Sequence, residues 1–264
     1  MTEGASSAAQ GTGADHSNAT ARVLVVVPAF NEEAVIADTL RELLASDPSL
    51  DVLVVNDGSS DRTVACVESV GVPVATLPFN VGVGGAMRAG FLYAQRGGYD
   101  AVVQFDADGQ HDAKYIPALV AGLTKTDVVV GGRFQGQSSY KAGLIRRLAM
   151  RVLSSAVSAI CRTPVNDTTS GFRAAGPRAI DLFAKHYPAE YLGDTVESLV
   201  LAHRSGLSIQ EIEVEMRPRA GGQPSQSTFK SAAYLLRAVL VLTIAVLRSY
   251  PTTAPVLREP EVAS

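Results

Sequence analysis

"RVLVVVPAFNEEAVIADTLRELLAS", Arg22 to Ser46, changes periodicity at its middle. Before Pro28 the residues are apolar and mostly β-branched without alternation, the pattern of a short strand buried on both faces. Beyond Glu33, Ile36, Leu40, Leu43 and Leu44 fall on one helical face. The same sentence repeats downstream. "DVLVV" closes in the turn-rich "NDGSSD" and leads to the helix "RTVACVESV", which Asp61 is placed to cap. "PVATLPF" precedes the helix "GGAMRAGFLYAQRGG", and "AVVQF" and "DVVVGGRF" supply a fourth and fifth strand. Alternating strands and helices of this kind predict an α/β fold, a mostly parallel sheet flanked by helices, with ligands bound beyond the carboxyl ends of the strands.

After Phe134 the pattern changes. A long helix, "AGLIRRLAMRVLSSAVSAICR", precedes the turn "TPVNDTTSGFRAAG". A short helix, "GDTVESLVLAHRSG", and the strand-like "LSIQEIEVEMRP" follow. The linker "RAGGQPSQS" leads into a last apolar helix. The organisation read from this is a tail over residues 1–20, one domain over 21–229, a C-terminal helix over 230–249 and a second tail over 250–264. The strand–helix alternation recurs, but no stretch of sequence is repeated.

With 264 residues, 47% hydrophobic and 19% charged, the chain is globular in composition. A net charge of −3 excludes the basic excess of a nucleic-acid-binding domain. Cys66 and Cys161 have neither metal-ligand nor redox spacing and read as reduced thiols. The N-terminus lacks the basic start and apolar core of a signal peptide. The longest apolar run, Ala238–Leu247, is about half of the roughly 20 residues that cross a membrane. The last helix is apolar nearly all round, with Lys230, Arg237 and Arg248 along it. That composition suits a membrane surface, and also a core helix or a helix docked on a partner.

Chemistry concentrates where the first four strands end. The loops are Pro28-Ala29-Phe30-Asn31-Glu32-Glu33, Asn56 to Asp61, Asn80 to Arg88, and Asp106-Ala107-Asp108. In a parallel sheet these ends share one edge, so the four loops converge. Asp106 and Asp108, one residue apart, can reach a single hard cation, and Gln110 can add an amide oxygen. Mg²⁺ commonly binds one or two carboxylates, waters and substrate phosphates. A short acidic pair alone is more often a solvated loop or a helix cap, and it is the convergence of the four loops that favours the site. A dinucleotide-binding glycine loop is disfavoured, because the first strand is followed by "PAFNEE" and not by G-x-G-x-x-G.

The ordered set "VVVPAFNEE", "VVNDGSSDRT", "NVGVGGAMRAGF", "FDADGQHD", "GGRF" and "DTTSGFR" resembles the family 2 inverting glycosyltransferases of GT-A fold. More narrowly it resembles dolichol- or polyprenyl-phosphate sugar synthases, in an actinobacterial subgroup, over roughly Arg22 to Leu247. The resemblance implies a Rossmann-like nucleotide-diphospho-sugar transferase fold and a hexosyltransferase. Such an enzyme moves one sugar from a UDP- or GDP-sugar to a polyprenyl phosphate with a divalent cation, Mg²⁺ or Mn²⁺. It would lie in the cytoplasm, peripheral at the inner face of the cell membrane, against the membrane surface or a small membrane partner protein.

The resemblance also implies roles. Pro28, Ala29, Phe30 and Glu32 line the nucleoside pocket. Asp57 accepts from a base N–H, although "NDG" equally suits an Asx-turn. Gly84, Gly85 and Arg88 sit beside the nucleotide or sugar, Asp106 and Asp108 with Gln110 at the metal. Arg133, Arg173 and Arg219 meet the donor diphosphate and the acceptor phosphate, with Arg217 competing for Arg219's place. His111 stands near these groups, but a lone loop histidine is more often polar surface. Asp194, with Glu197 on the same helical face, is placed to deprotonate an acceptor hydroxyl. A phosphate monoester is already ionised near neutral pH and needs no such base. Two alternatives therefore stand beside the lipid phosphate: a glycan or other hydroxyl acceptor, and a catalytically silent nucleotide-sugar-binding protein.

Overall fold

The structure is a computed structural model that describes residues 21–133, 144–189 and 194–218, with the side chains of 144–149 left aside. The two tails, the expected helix over 230–249 and Arg219 lie outside the described residues. Among the described residues seven strands form one sheet: β1 (Val23–Ala29), β2 (Asp51–Asn56), β3 (Val74–Thr76), β4 (Ala101–Gln104), β5 (Val128–Arg133), β6 (Arg173–Ala175) and β7 (Ile209–Val214). Their helices are α1 (Ile36–Ser46), α2 (Thr63–Val70), α3 (Val83–Gly97), α4 (Ile116–Gly122), α5 (Leu144–Cys161), α6 (Pro177–His186) and α7 (Asp194–Arg204).

Side chains of β1 alternate between the two faces, as the pleat requires. Leu24 and Val26 enter a core with Met87 and Phe91 of α3, Leu153 of α5, Ile180 of α6 and Leu199 of α7. Val25 and Val27 enter the opposite core with Ile36, Leu40 and Leu43 of α1 and Leu119 of α4. Both faces of the strand are dry, which is why its sequence is continuous rather than alternating. α1 begins later than its periodicity suggested. The Glu32 carbonyl accepts from Val35 and Ile36 N–H, closing a turn ahead of the helix.

The sheet order is β3-β2-β1-β4-β6-β5-β7. β2 and β4 flank β1 on opposite sides, both parallel to it, so the chain reverses its direction of growth between β1 and β4. That is the switch point at which open α/β sheets bind ligands. β6 departs from the expectation of a turn throughout "TPVNDTTSGFRAAG". It is a short antiparallel strand between β4 and β5, with Arg173 opposite both Gln104 and Val130. Because β6 runs against its neighbours, it starts at the edge where they end. The "DTTSGF" turn is thereby delivered to the carboxyl edge of β4.

Candidate active site

The four loops do converge, and polar side chains hold them. Asn31 N–H donates to Ser59 Oγ (2.9 Å), and Ser60 N–H donates to Asn31 Oδ1 (2.9 Å). Glu32 N–H donates to Thr63 Oγ1 (2.8 Å), and Asp61 accepts from Glu33 and Thr63 N–H. Asp61 thus serves the start of α2 as expected, one residue ahead of the cap position, while also gripping the first loop. Pro28 is half-buried, Ala29 is buried, and Phe30 is exposed at the rim. The fourth loop is tied to α1 through Thr39 Oγ1, which donates to the Ala107 carbonyl (3.0 Å).

Asp57 is buried, and its carboxylate accepts from Val81 N–H and Gly82 N–H, each at 2.8 Å. It fastens the loop before α3 to the end of β2. Gly84 and Gly85 open α3, but for packing reasons. A Cβ on Gly84 would overlap the Pro188 carbonyl oxygen and come within 3.1 Å of Asp194 Cβ, and one on Gly85 would overlap Val81. Arg88 is exposed, and its Nε donates to the Ala184 carbonyl of α6 (3.4 Å).

The acids of "FDADGQHD" have separate partners. Asp112 caps the 3₁₀ turn at Ala113–Tyr115 by accepting from Lys114 N–H (3.1 Å), and it pairs with Lys114 Nζ (3.2 Å) and Arg217 (3.1 Å). Burial raises the Asp112 carboxyl, but these bonds outweigh it and hold it below the usual range. Asp108 is buried and accepts from Gln110 N–H (3.0 Å). Asp106, with its side chain 35% exposed, accepts from Gln104 Nε2 (3.2 Å). Gly171, from the turn before β6, lies directly over it: a Cβ there would sit 2.9 Å and 3.1 Å from the two carboxylate oxygens. His111 is not polar surface. It is buried, stacked on Phe172 and edge-on to Phe105.

Among the described residues no three His, Cys, Asp or Glu side chains cluster to hold a metal. Asp106, Asp108 and Gln110 supply hard oxygen donors of two kinds, with Asp106 open to solvent. That set fits Mg²⁺ or Mn²⁺, ions that complete their shells with water and substrate phosphate.

The arginines divide. The Arg133 guanidinium grips Asp167 through Nε (2.6 Å) and Nη2 (3.0 Å) and reaches Thr169 Oγ1 (3.1 Å). Burial would raise the Asp167 carboxyl, yet Arg133 holds it below the usual range. Glu211 of β7 in turn accepts from the N–H groups of Asn166 and Asp167, placing that turn. Arg173 is buried, and its donors go to the carbonyls of Ser170, Thr168 and Thr195 and to Ser198 Oγ. This corrects the expectation of a phosphate contact: Arg173 is a brace between the turn and α7. Arg217 pairs with Asp112 and Glu42, and its N–H donates to the Gln110 carbonyl (2.9 Å), so it staples the chain after β7 to the acidic loop.

Asp194 opens α7 and is only 5% exposed, and its Oδ2 has no hydrogen-bond partner among the described residues. Burial pushes its pKa up to about 6, against the pull of Arg173 and with a further push from Asp106. Glu197 is buried one turn on.

Gln104, Gly171 and Asp167 escaped the sequence reading as site residues, and His111 entered it only as a lone loop histidine near the metal or phosphate. Gln104 carried a signal, as a polar residue inside an apolar strand. The others depend on β6 bringing residues 167–172 beside β4, which no local pattern reveals.

Comparison with known proteins agrees with this fold. The family model described as "Glycosyl transferase family 2" matches residues 24–174. The undecaprenyl-phosphate mannosyltransferase of Micrococcus luteus is 31% identical over 78% of this chain and 88% of its own. The polyprenol monophosphomannose synthase of Mycolicibacterium smegmatis is 29% identical over 62% and 66%. Among solved structures, glucosyl-3-phosphoglycerate synthase from Mycobacterium tuberculosis, in complex with Mn²⁺, UDP-glucose and phosphoglyceric acid, aligns with a TM-score of 0.68 at 20% identity over 88% of both chains. With the family model over more than half of its length and a relative above 30% identity, the chain belongs to glycosyl transferase family 2.

Proposed function

We propose that this glycosyltransferase moves a single sugar, with inversion, from a UDP- or GDP-sugar to a polyprenyl phosphate at the inner face of the cytoplasmic membrane. The observation that carries the reading is the solvent-facing Asp106 carboxylate at the switch point of the sheet, faced by a glycine where any side chain would close it off. The names of the relatives support the acceptor: one is an undecaprenyl-phosphate mannosyltransferase and one a polyprenol monophosphomannose synthase.

Asp106, Asp108 and Gln110 would hold a divalent cation. When bound, it would supply positive charge to the departing diphosphate. The first loop, with Phe30 at its rim, and the loop fixed by Asp57 would receive the nucleoside. Arg133, held by Asp167 at the end of β5, would stand on the diphosphate side. The acceptor phosphate brings its own charge and attacks without giving up a proton to the protein.

One observation favours a second reading. Asp194, with its pKa near 6, is a carboxyl tuned toward neutral pH, as a base for an acceptor hydroxyl would be. One experiment decides between them. The purified protein is given UDP- and GDP-sugars with polyprenyl phosphate vesicles or with soluble glycans and other hydroxyl acceptors, with and without EDTA, and products are identified by mass. The proposal expects one hexose added to the lipid phosphate, lost with EDTA. Products on hydroxyl acceptors alone would overturn it.

A further inference from the structure

We infer that His111 is a positioning residue that fixes the direction of the Asp106 carboxylate. The inference rests on the reading of Asp106 as a donor-side metal ligand. His111 is 3% exposed. Its ring stacks on Phe172 at 4.6 Å and 15°, and Phe105 meets it edge-on at 5.4 Å. Phe105 and Phe172 are themselves buried and pack edge to face at 5.8 Å. One aromatic follows β4 and the other precedes β6, so the imidazole is clamped between the two segments that build the acidic edge.

Within that clamp both nitrogens turn to the same residue. Nδ1 accepts from Asp106 N–H (2.9 Å). A neutral ring accepting at Nδ1 carries its proton on Nε2. Nε2 lies 3.5 Å from Asp106 Oδ2, short of a full hydrogen bond but close enough for attraction to the carboxylate. Gln104 Nε2 meets the other oxygen at 3.2 Å. The carboxylate thus has a hydrogen bond from Gln104 on one oxygen and the looser approach of the His111 ring on the other, with Gly171 over its face. A phenylalanine at 111 would fill the same space and leave Asp106 N–H unpaired and Oδ2 unsupported. Groups that orient a metal ligand in this manner commonly set metal affinity by about 10- to 100-fold.

The test separates the two nitrogens. Asparagine can place an acceptor near the position of Nδ1, and glutamine a donor near that of Nε2. Mn²⁺ binding in the presence of UDP, and separately of GDP, is followed by electron paramagnetic resonance of the free ion. Wild type is compared with His111→Ala, His111→Asn and His111→Gln, each checked by circular dichroism and thermal melting. The expected result is a Mn²⁺ affinity about 10- to 100-fold weaker in His111→Ala and His111→Asn, recovered to within about threefold of wild type in His111→Gln. If alanine fails to fold, the asparagine and glutamine pair decides. Folded variants that all bind Mn²⁺ like wild type, with altered melting alone, would overturn the positioning role. Loss of wild-type Mn²⁺ binding with both nucleotides would instead overturn the underlying reading of Asp106, and the inference with it.

Discussion

The Asp57 carboxylate bridges two loops by accepting one backbone N–H on each oxygen, Val81 on Oδ1 and Gly82 on Oδ2, both at 2.8 Å. Successive N–H groups converging on one buried carboxylate make a strong, charge-assisted tether. It explains how a loop lacking a regular ladder keeps its place at the mouth of α3. Asp57→Ala removes both bonds, leaving Val81 N–H without its partner and Gly82 N–H with Asn80 Oδ1 alone (3.1 Å). The expected loss is roughly 2–4 kcal/mol in urea unfolding. Asp57→Asn, with one acceptor oxygen, should fall between. An alanine variant as stable as wild type would show that the loop is held by other means.

Asp194 gives a pH prediction with a definite sign. Its folded pKa, about 6, lies above the ~3.9 of an unfolded aspartate. Between about pH 4 and 6 the folded protein therefore binds more protons than the unfolded chain, so this group's contribution falls as pH rises through that window. Above pH 6 the full cost of a buried charge is present. Asp194→Asn escapes that cost and should be more stable than wild type at pH 7.5 by about 1–3 kcal/mol, with the difference closing toward pH 4. Urea denaturation at pH 4, 5.5 and 7.5 reads it. A less stable asparagine variant at pH 7.5 would mean that attraction to Arg173 outweighs burial. The same variant informs the chemistry. Transfer to a lipid phosphate should fall by less than about tenfold, whereas loss of a general base costs roughly 10²–10⁴-fold.

Arg173 should behave as a brace. Its guanidinium spans Ser170, Thr168, Thr195 and Ser198 in one plane, a reach that an ammonium cannot copy. Arg173→Lys is expected to cost roughly 2–4 kcal/mol, because buried carbonyls lose their donors. The readout is the urea midpoint, with substrate KM as the contrast. A raised KM at unchanged stability would restore the phosphate-binding role.

The parts of this fold written locally were legible. β1, β2, α1, α3 and β7 carry their own periodicity, and the four polar strand ends could be placed on one edge from topology alone. β6 was not legible. Three residues, Arg173-Ala174-Ala175, have no period, and they become a strand only because β4 and β5 leave a gap with unpaired backbone between them. The roles of Arg173 and His111 went astray for the same reason. Arginine in "SGFR" reads as a phosphate fork until α7 is seen to supply its acceptors. Histidine in "DGQHD" reads as surface until Phe172 arrives from a strand the sequence did not announce.

The metal assignment is tested by a substitution that spares the turn. Asp108 accepts Gln110 N–H through Oδ1, so alanine would loosen the loop as well as remove a charge. Asparagine keeps an acceptor oxygen in the same place, removes the negative charge and puts an NH2 donor where the second oxygen was. If Asp108 holds a cation, Asp108→Asn should leave unfolding within about 1 kcal/mol of wild type, since a neutral acceptor forgoes only part of a hydrogen bond's net worth. It should raise the Mn²⁺ concentration needed for half-maximal transfer, and lower saturated turnover by at least about tenfold through weaker support of the leaving diphosphate. EDTA should abolish turnover in both proteins, and excess Mn²⁺ should restore wild type fully and the variant in part. Turnover by wild type that survives EDTA and dialysis would remove the cation from the reaction. Asp106 and Asp108 would then serve to shape the loop alone, with Gln104 and the Gln110 N–H as their partners.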